Sequence, residues 1–193
     1  AKVCMEVGAG NSAQFPDRLY TGVDWCQSPQ EVLSRSNLLL AVQPLNEATI
    51  AGLTPGSTHA GFMQPHNHLN AVKALTARQI TSLAMELVPR ISRAQSMDAL
   101  SSQAAIAGYK SVLIGANTLD RFLPMLTTAA GTIRPAQVLI IGVGVAGLQA
   151  IATAKRLGAL VEAYDVRSAT RDQVKSLGAK FIETGVTAEG AGG

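Results

Sequence analysis

Two stretches of the chain hold residue types at spacings that could do chemistry. The first is Gly142-Val143-Gly144-Val145-Ala146-Gly147, a G-x-G-x-x-G run. It follows the apolar segment Val138–Ile141, opens a helical pattern, and is answered by Asp165 at the end of the next apolar segment. Gly142 permits a tight turn, Gly144 lets backbone N–H groups approach a pyrophosphate, and Gly147 lets a helix pack close to its strand. The pyrophosphate then rests on the positive end of a helix that begins around Val145 and Ala146. Asp165 can accept both hydroxyls of an adenosine ribose. Its charge opposes a 2′-phosphate, so NAD(H) is favoured over NADP(H); Arg167, just past Val166, softens that preference. Glycines serving helix packing alone would leave the strand, helix and acid context unexplained.

The second stretch runs from Val88 to Gln103. Arg90, Arg93, Gln95, Ser96, Asp98 and Ser101 crowd the junction between a strand pattern and a helix pattern. Asp98 and Ser101 stand three apart and are expected to share a helical face, with Asp98 in the first turn complementing the helix dipole. A plainer reading has Ser96 as the helix cap and the arginines in solvent. The histidines add little. His66 and His68 give two possible ligands without a Cys, Asp or Glu at a usual spacing, so His59, His66 and His68 are read as loop residues and no metal is expected. Trp25 and Tyr109 are read as packing residues.

Composition narrows the class of protein. The chain has 193 residues, 47% hydrophobic and only 15% charged, enough for one large or two small domains with real cores and unlike a disordered chain. Sixteen basic residues against 13 acidic ones give a net charge of +3, but they form no stripe, and aromatics are 4%, so nucleic acid is not an expected partner. Cys4 and Cys26 cannot make a disulfide framework, which fits a reducing, cytosolic compartment. No signal peptide and no initiator Met open the chain, which reads as either a processed start or a fragment. Val138–Ala154 is apolar enough to suggest a short membrane span, but a strand, turn and helix account for its three glycines and a span does not, so no direct membrane insertion is expected.

The elements that must position these residues alternate. Strands are predicted at Val3–Val7, Leu38–Val42 (buried), His59–Met63 and Ile80–Leu87. Helices are predicted from Ser28-Pro29, over Asn46–Leu53, and through Leu69, Val72 and Leu75. That order implies a parallel sheet covered on both sides. A long helix is expected from Met97 to about Leu119, with Ala104, Ala105 and Gly108 forming a small apolar face for close helix packing or a homodimer contact. A linker follows through Pro124, Gly131 and Pro135. A second βαβ pattern comprises strand Val138–Ile141, helix Ala146–Leu157 and strand Leu160–Tyr164, then a helix over Thr170–Leu177, a strand at Phe181-Ile182 and a Gly/Ala-rich loop from Gly185.

The run from Pro89 to Gln103, followed by Ala107-Gly108-Tyr109, resembles the NAD(H)-binding component of proton-translocating NAD(P) transhydrogenases. The resemblance extends to Gly8-Ala9-Gly10, the Gly142–Gly147 loop and Asp165-Val166-Arg167, and so covers essentially the whole chain. It implies an α/β fold: two Rossmann-like parallel-sheet domains joined by a long helix, both incomplete here. The expected division is a first domain at 1–96 without its opening unit, a connecting helix at 97–119, and an NAD-binding domain at 120–193 truncated at its end. It also implies hydride exchange between NAD(H) on this chain and NADP(H) on a partner domain, with a separate transmembrane subunit, a homodimeric state, and a place on the cytoplasmic face of a bacterial inner membrane or in the mitochondrial matrix. The fragment alone is expected to be inactive. Carried over residue by residue, the nicotinamide-site arginine falls on Arg90 and the glutamine facing the partner's NADP(H) on Gln95. The aspartate and serine beside the nicotinamide fall on Asp98 and Ser101, and the ribose carboxylate on Asp165. Hydride transfer between two nicotinamides moves no proton, so such a site needs orienting groups rather than an acid or base.

The related alanine dehydrogenases share the two-domain architecture and are the alternative enzyme. Oxidising an amine needs a proton acceptor and a carboxylate clamp. Their catalytic histidine aligns with Gln64, and their substrate lysine is lost around Gln43. A non-catalytic NAD-binding domain is the remaining alternative, against which the Arg90–Ser101 cluster speaks, since holding adenosine would not require it.

Overall fold

The computed structural model describes residues 1–186 and 188. The chain divides into two compact units, Ala1–Asp98 and Ala99–Gly193.

The first unit begins with strands β1 (Val3–Glu6) and β2 (Val23–Cys26), paired parallel. Strand β2 gives no clear signal in the sequence, because its four residues include Asp24; it is held by pairing with β1 and by Cys26, fully buried at its end. Trp25 packs edge-on against Tyr20. Helix α1 (Pro29–Arg35) starts as its residues dictate: Pro29 occupies the first position and the Ser28 hydroxyl accepts from the Glu31 amide at 3.3 Å. Strand β3 (Leu38–Ala41) leads to α2 (Glu47–Gly52), capped by Asn46 accepting from Thr49 N at 2.8 Å. Then follow β4 (Thr58–Gly61), α3 (Leu69–Ala77) and β5 (Thr81–Ala84). Strands β3, β4 and β5 form a parallel sheet in that order.

Three expectations are corrected here. Strand β3 is not buried: Leu39 packs on the core of Leu33, Ile50, Leu53, Leu75 and Ile80, while Leu40 is 72% exposed on the opposite face. Side chains alternate across a strand, so only one of the two faces of β3 packs on this core. Strand β5 stops at Ala84, and Met85–Leu87 turns as a 3₁₀ helix that takes Glu86 out of the ladder. His59 lies in β4, as the strand predicted from it requires, and is fully buried there, which overturns its grouping with the loop histidines.

The second unit opens with the expected long helix, α4 (Ala99–Thr118). Its small face is used internally. A Cβ on Gly108 would lie 2.1 Å from the carbonyl oxygen of Ala146, so α4 approaches the next helix closely at that point. Tyr109 is exposed rather than packed. The segment read as a linker folds into an antiparallel hairpin, β6 (Leu126–Thr128) and β7 (Gly131–Ile133), with Gly131 at positive φ in the turn. Strand β8 (Gln137–Ile141), helix α5 (Val145–Arg156), strand β9 (Leu160–Tyr164), helix α6 (Arg171–Ser176) and strand β10 (Lys180–Phe181) follow the predicted βαβαβ order. The sheet order is β10-β9-β8, all parallel. Val138 and Ile140 pack on the core around Ile151, Ala154 and Val174, while Ile141 is 75% exposed, again a one-sided strand. The loop expected from Gly185 lies mostly outside the described residues. Among the described residues no helix is long and apolar enough to cross a membrane.

The helix contact makes a paired prediction. Ala exceeds Gly in helix propensity by about 1 kcal/mol. At Gly115, where a Cβ meets nothing within 4 Å, Gly115→Ala should raise the thermal midpoint. At Gly108 the added Cβ meets backbone, and overpacking costs about 1–3 kcal/mol or more, so Gly108→Ala should lower it. A Gly108→Ala variant as stable as Gly115→Ala would show that the helices can separate at little cost.

Candidate functional site

The glycine loop has the geometry its sequence calls for. Gly142 lies at φ +89°, a conformation that favours glycine, and donates its N–H to Tyr164 O at 2.8 Å, which ties the loop to the end of β9. A Cβ on Gly147 would lie 1.9 Å from the Gly142 carbonyl oxygen, so the first turn of α5 rests directly on the loop. A Cβ on Gly144 would meet nothing within 4 Å. Gly144 therefore faces open space, at the N-cap of a 12-residue helix that carries no side-chain cap. The amides of Val145 and Ala146 precede the first intrahelical bond, from Leu148 N to Gly144 O at 2.9 Å. They and the helix dipole make this end a cradle for a negative group.

Asp165 is brought to this loop from the end of β9. Its Oδ2 accepts from Val143 N at 2.6 Å and from Arg167 Nη2 at 3.0 Å. Its Oδ1 accepts from Arg167 N at 2.8 Å and Arg167 Nε at 2.9 Å. Arg167 Nη2 also donates to Val143 O at 3.3 Å. The Arg167 guanidinium first of all, with the amides of Arg167 and Val143, outweighs the opposing effect of burial and holds the Asp165 carboxyl well below the usual carboxylate range. Asp165 is thus ionised throughout neutral and mildly acid pH. Beside it, at the carboxyl end of β9, lies a cavity of about 100 Å³ lined by residues that include Asp165, Ser168, Arg171, Phe181 and Glu183. Val143, Asp165 and Arg167 are joined in one hydrogen-bonded cluster within the glycine loop and the end of β9, and Val166 is partly exposed beside it.

The other candidates lie on the segment around residue 95. Arg90 is exposed in the loop after the 3₁₀ turn Met85–Leu87, and Gln95 is exposed within a second 3₁₀ helix, Ser92–Met97. Asp98 ends that turn and stands immediately before α4 rather than in its first helical turn; Ser101 is the third residue of α4. The extra 3₁₀ turn displaces the start of the α-helix past Ser96, which is therefore not its cap.

Glu86 escapes a reading of motifs. Its Oε1 accepts from Met63 N at 2.9 Å and also from Gln64 N. Gln64 is exposed at φ +47°, in the left-handed region, just past β4. Burial opposes ionisation of Glu86, but its own amide, with those of Gln64 and Met63, prevails and holds its carboxyl below the ordinary value. A lone acid at the end of a strand pattern is the only trace Glu86 leaves in sequence. Among the described residues no group of three or more His, Cys, Asp or Glu side chains gathers to hold a metal.

A glycine-rich turn between a parallel strand and a helix, with an acid from the next strand bound to that turn, defines a Rossmann-like α/β protein. Residues 1–107 match the alanine dehydrogenase/PNT N-terminal domain and residues 111–191 the C-terminal domain of the same family, and the chain belongs to that family. It is 50% identical to an NAD(P) transhydrogenase alpha-subunit protein of Rhodospirillum rubrum, over 100% of this chain and 53% of that protein. The solved transhydrogenase of Sinorhizobium meliloti superposes with a TM-score of 0.89 at 46% identity, covering 94% of this chain and 55% of that one. Alanine dehydrogenase of Mycolicibacterium smegmatis is more distant, 30% identical over 95% of this chain and 50% of that protein. The chain spans about half the length of the curated relatives it matches.

Proposed function

We propose that this chain is the NAD(H)-binding part of a proton-translocating NAD(P) transhydrogenase. In this reading it exchanges hydride with NADP(H) held on a partner domain, and a transmembrane subunit couples that exchange to proton movement. The cluster joining the glycine loop to Asp165 carries the proposal. The open face of Gly144 and the uncapped start of α5 fit a pyrophosphate, and an ionised carboxylate held one strand away fits the adenosine ribose. The greater likeness to transhydrogenases than to alanine dehydrogenases supports the choice between the two.

Bound NAD(H) supplies the carbon that gives or takes the hydride. The chain's residues supply orientation. Arg90, Asp98 and Ser101 hold the nicotinamide and its carboxamide, and Gln95 faces the partner's cofactor. The homodimer and a location on the cytoplasmic face of a bacterial inner membrane, or in the mitochondrial matrix, follow from the resemblance alone, because the face around Gly108 that suggested a dimer contact is occupied by α5.

Titration of the full-length protein with NADH and NADPH, followed by fluorescence, tests the reading. NADH should bind far more tightly. Equal affinities would overturn the cofactor assignment, and failure of the NADH-loaded protein to reduce NADP⁺ on its partner domain would overturn the reaction.

A further inference from the structure

The first unit encloses a histidine for which the candidate site has no use. His59 is fully buried in β4, and neither ring nitrogen has a hydrogen-bond partner among the described residues. Leu39 of β3 and Ser82 of β5 stand beside it in register. It lines a cavity of about 10 Å³, otherwise walled by residues such as Leu45, Ile50, Met63, Val72 and Leu75. That space admits about one water at most, so a charged ring there has no hydration shell. Burial accordingly holds the imidazole below its ordinary pKa, against the opposing pull of Glu86, and the ring is neutral at neutral pH.

Glu86 is the charge that acts on this ring. The other charged groups on the surrounding elements are turned to solvent or engaged: Glu47 of α2 and Lys73 of α3 are exposed, and Arg78, just past α3, donates to Leu53 O. Strand β3 carries no charge, and the enclosed hydroxyls of Ser57 and Ser82 are neutral. Glu86 Oε1 accepts from the amides of Met63 and Gln64, whereas its Oε2 is buried with no partner among the described residues. The two amide bonds fasten the end of β4 to the turn after β5. They also hold Gln64 at φ +47°, a backbone region costly to a residue with a side chain. We infer that His59 and Glu86 form a proton-operated latch: with His59 neutral, Glu86 keeps the Met63–Gln64 turn closed, and a proton on His59 draws the carboxylate to the imidazolium and releases the turn. An enclosed imidazolium needs a negatively charged acceptor, and of its surroundings only Glu86 offers one. Because the closed state disfavours the proton, closure is complete above the ordinary histidine pKa of about 6.5 and is lost as the pH falls below it. Glu86, held below the ordinary carboxylate value, stays ionised through that window. The inference does not depend on the NAD(H) reading.

Amide hydrogen exchange of the full-length protein, read by mass spectrometry from about pH 8 to about pH 5.5, tests the latch. After correction for intrinsic exchange, protection of the Met63 and Gln64 amides should fall by up to about tenfold per pH unit below about 6.5, as uptake of one proton requires. Protection of the Val143 amide should stay level, because its acceptor Asp165 is ionised far below this range. His59→Gln cannot take the proton and should remove the pH dependence at the turn. Glu86→Gln keeps an acceptor for the two amides but has no charge to be drawn away, so its turn should exchange at one corrected rate across the range. Its thermal midpoint should still fall in acid, because the enclosed imidazole remains. Level protection in the wild type overturns the inference. So does a fall that persists in His59→Gln, which would put the proton on another group such as the exposed His66 or His68. A fall in Glu86→Gln equal to that of the wild type overturns the latch and leaves acid unfolding alone. If His59→Gln fails to fold, the wild type and Glu86→Gln still decide.

Discussion

Gln95→Asn should slow hydride transfer to the NADP(H)-bearing partner about a hundredfold and leave NADH affinity nearly unchanged, since displacing the reacting groups by ~1 Å costs on that order. Gln95 is exposed on the 3₁₀ turn Ser92–Met97, and the proposed function has it face the partner's cofactor rather than this chain's own. Shortening its side chain by one methylene removes reach without altering charge. Arg90→Ala should behave differently, weakening NADH binding itself, because its guanidinium is assigned to this chain's own nicotinamide end. An NADH binding constant and a single-turnover transfer rate for each variant separate the two roles. Should Gln95→Asn cost as much NADH affinity as rate, the residue acts locally and the assignment of the partner face is wrong.

The second large effect is an absence of turnover. Full-length protein given pyruvate, ammonia and NADH should show no pyruvate-dependent oxidation, because an amine substrate requires a group that can take and return its proton. The resemblance to alanine dehydrogenases sets their catalytic histidine at Gln64, and an amide cannot perform that role near neutral pH. Its backbone is held at φ +47° while its N–H donates to Glu86, so the side chain is presented from a restrained loop. Robust pyruvate-dependent turnover in a spectrophotometric assay would favour the alanine dehydrogenase reading over hydride exchange between two nicotinamides.

Features that depend on near neighbours were legible in the residues alone. The caps at Ser28 and Asn46 are bonds to amides three residues on. The order β8, glycine loop, α5, β9, Asp165 follows from a change in apolar period and from three glycines whose backbone roles are local. Those signals sufficed for the α/β class and pointed to the candidate cofactor residues. How distant groups meet was settled only by folding. Glu86 reaches back 22 residues to the amide of Gln64, and Val143 reaches forward 22 to Asp165. Gly108 serves a helix contact with Ala146 rather than a free surface, and His59 is fully buried. Leu39 and Leu40 belong to one apolar run, yet only the first is covered. The reason is geometric: residue type states what a side chain would gain from burial or pairing, whereas the partner it meets is chosen by packing of segments far apart in the chain. Asp165 illustrates the division. Its spacing marks it as a candidate ribose ligand, and only the folded chain brings the Val143 amide, 22 residues away, onto the carboxylate beside its near neighbour Arg167, holding it ionised at neutral pH.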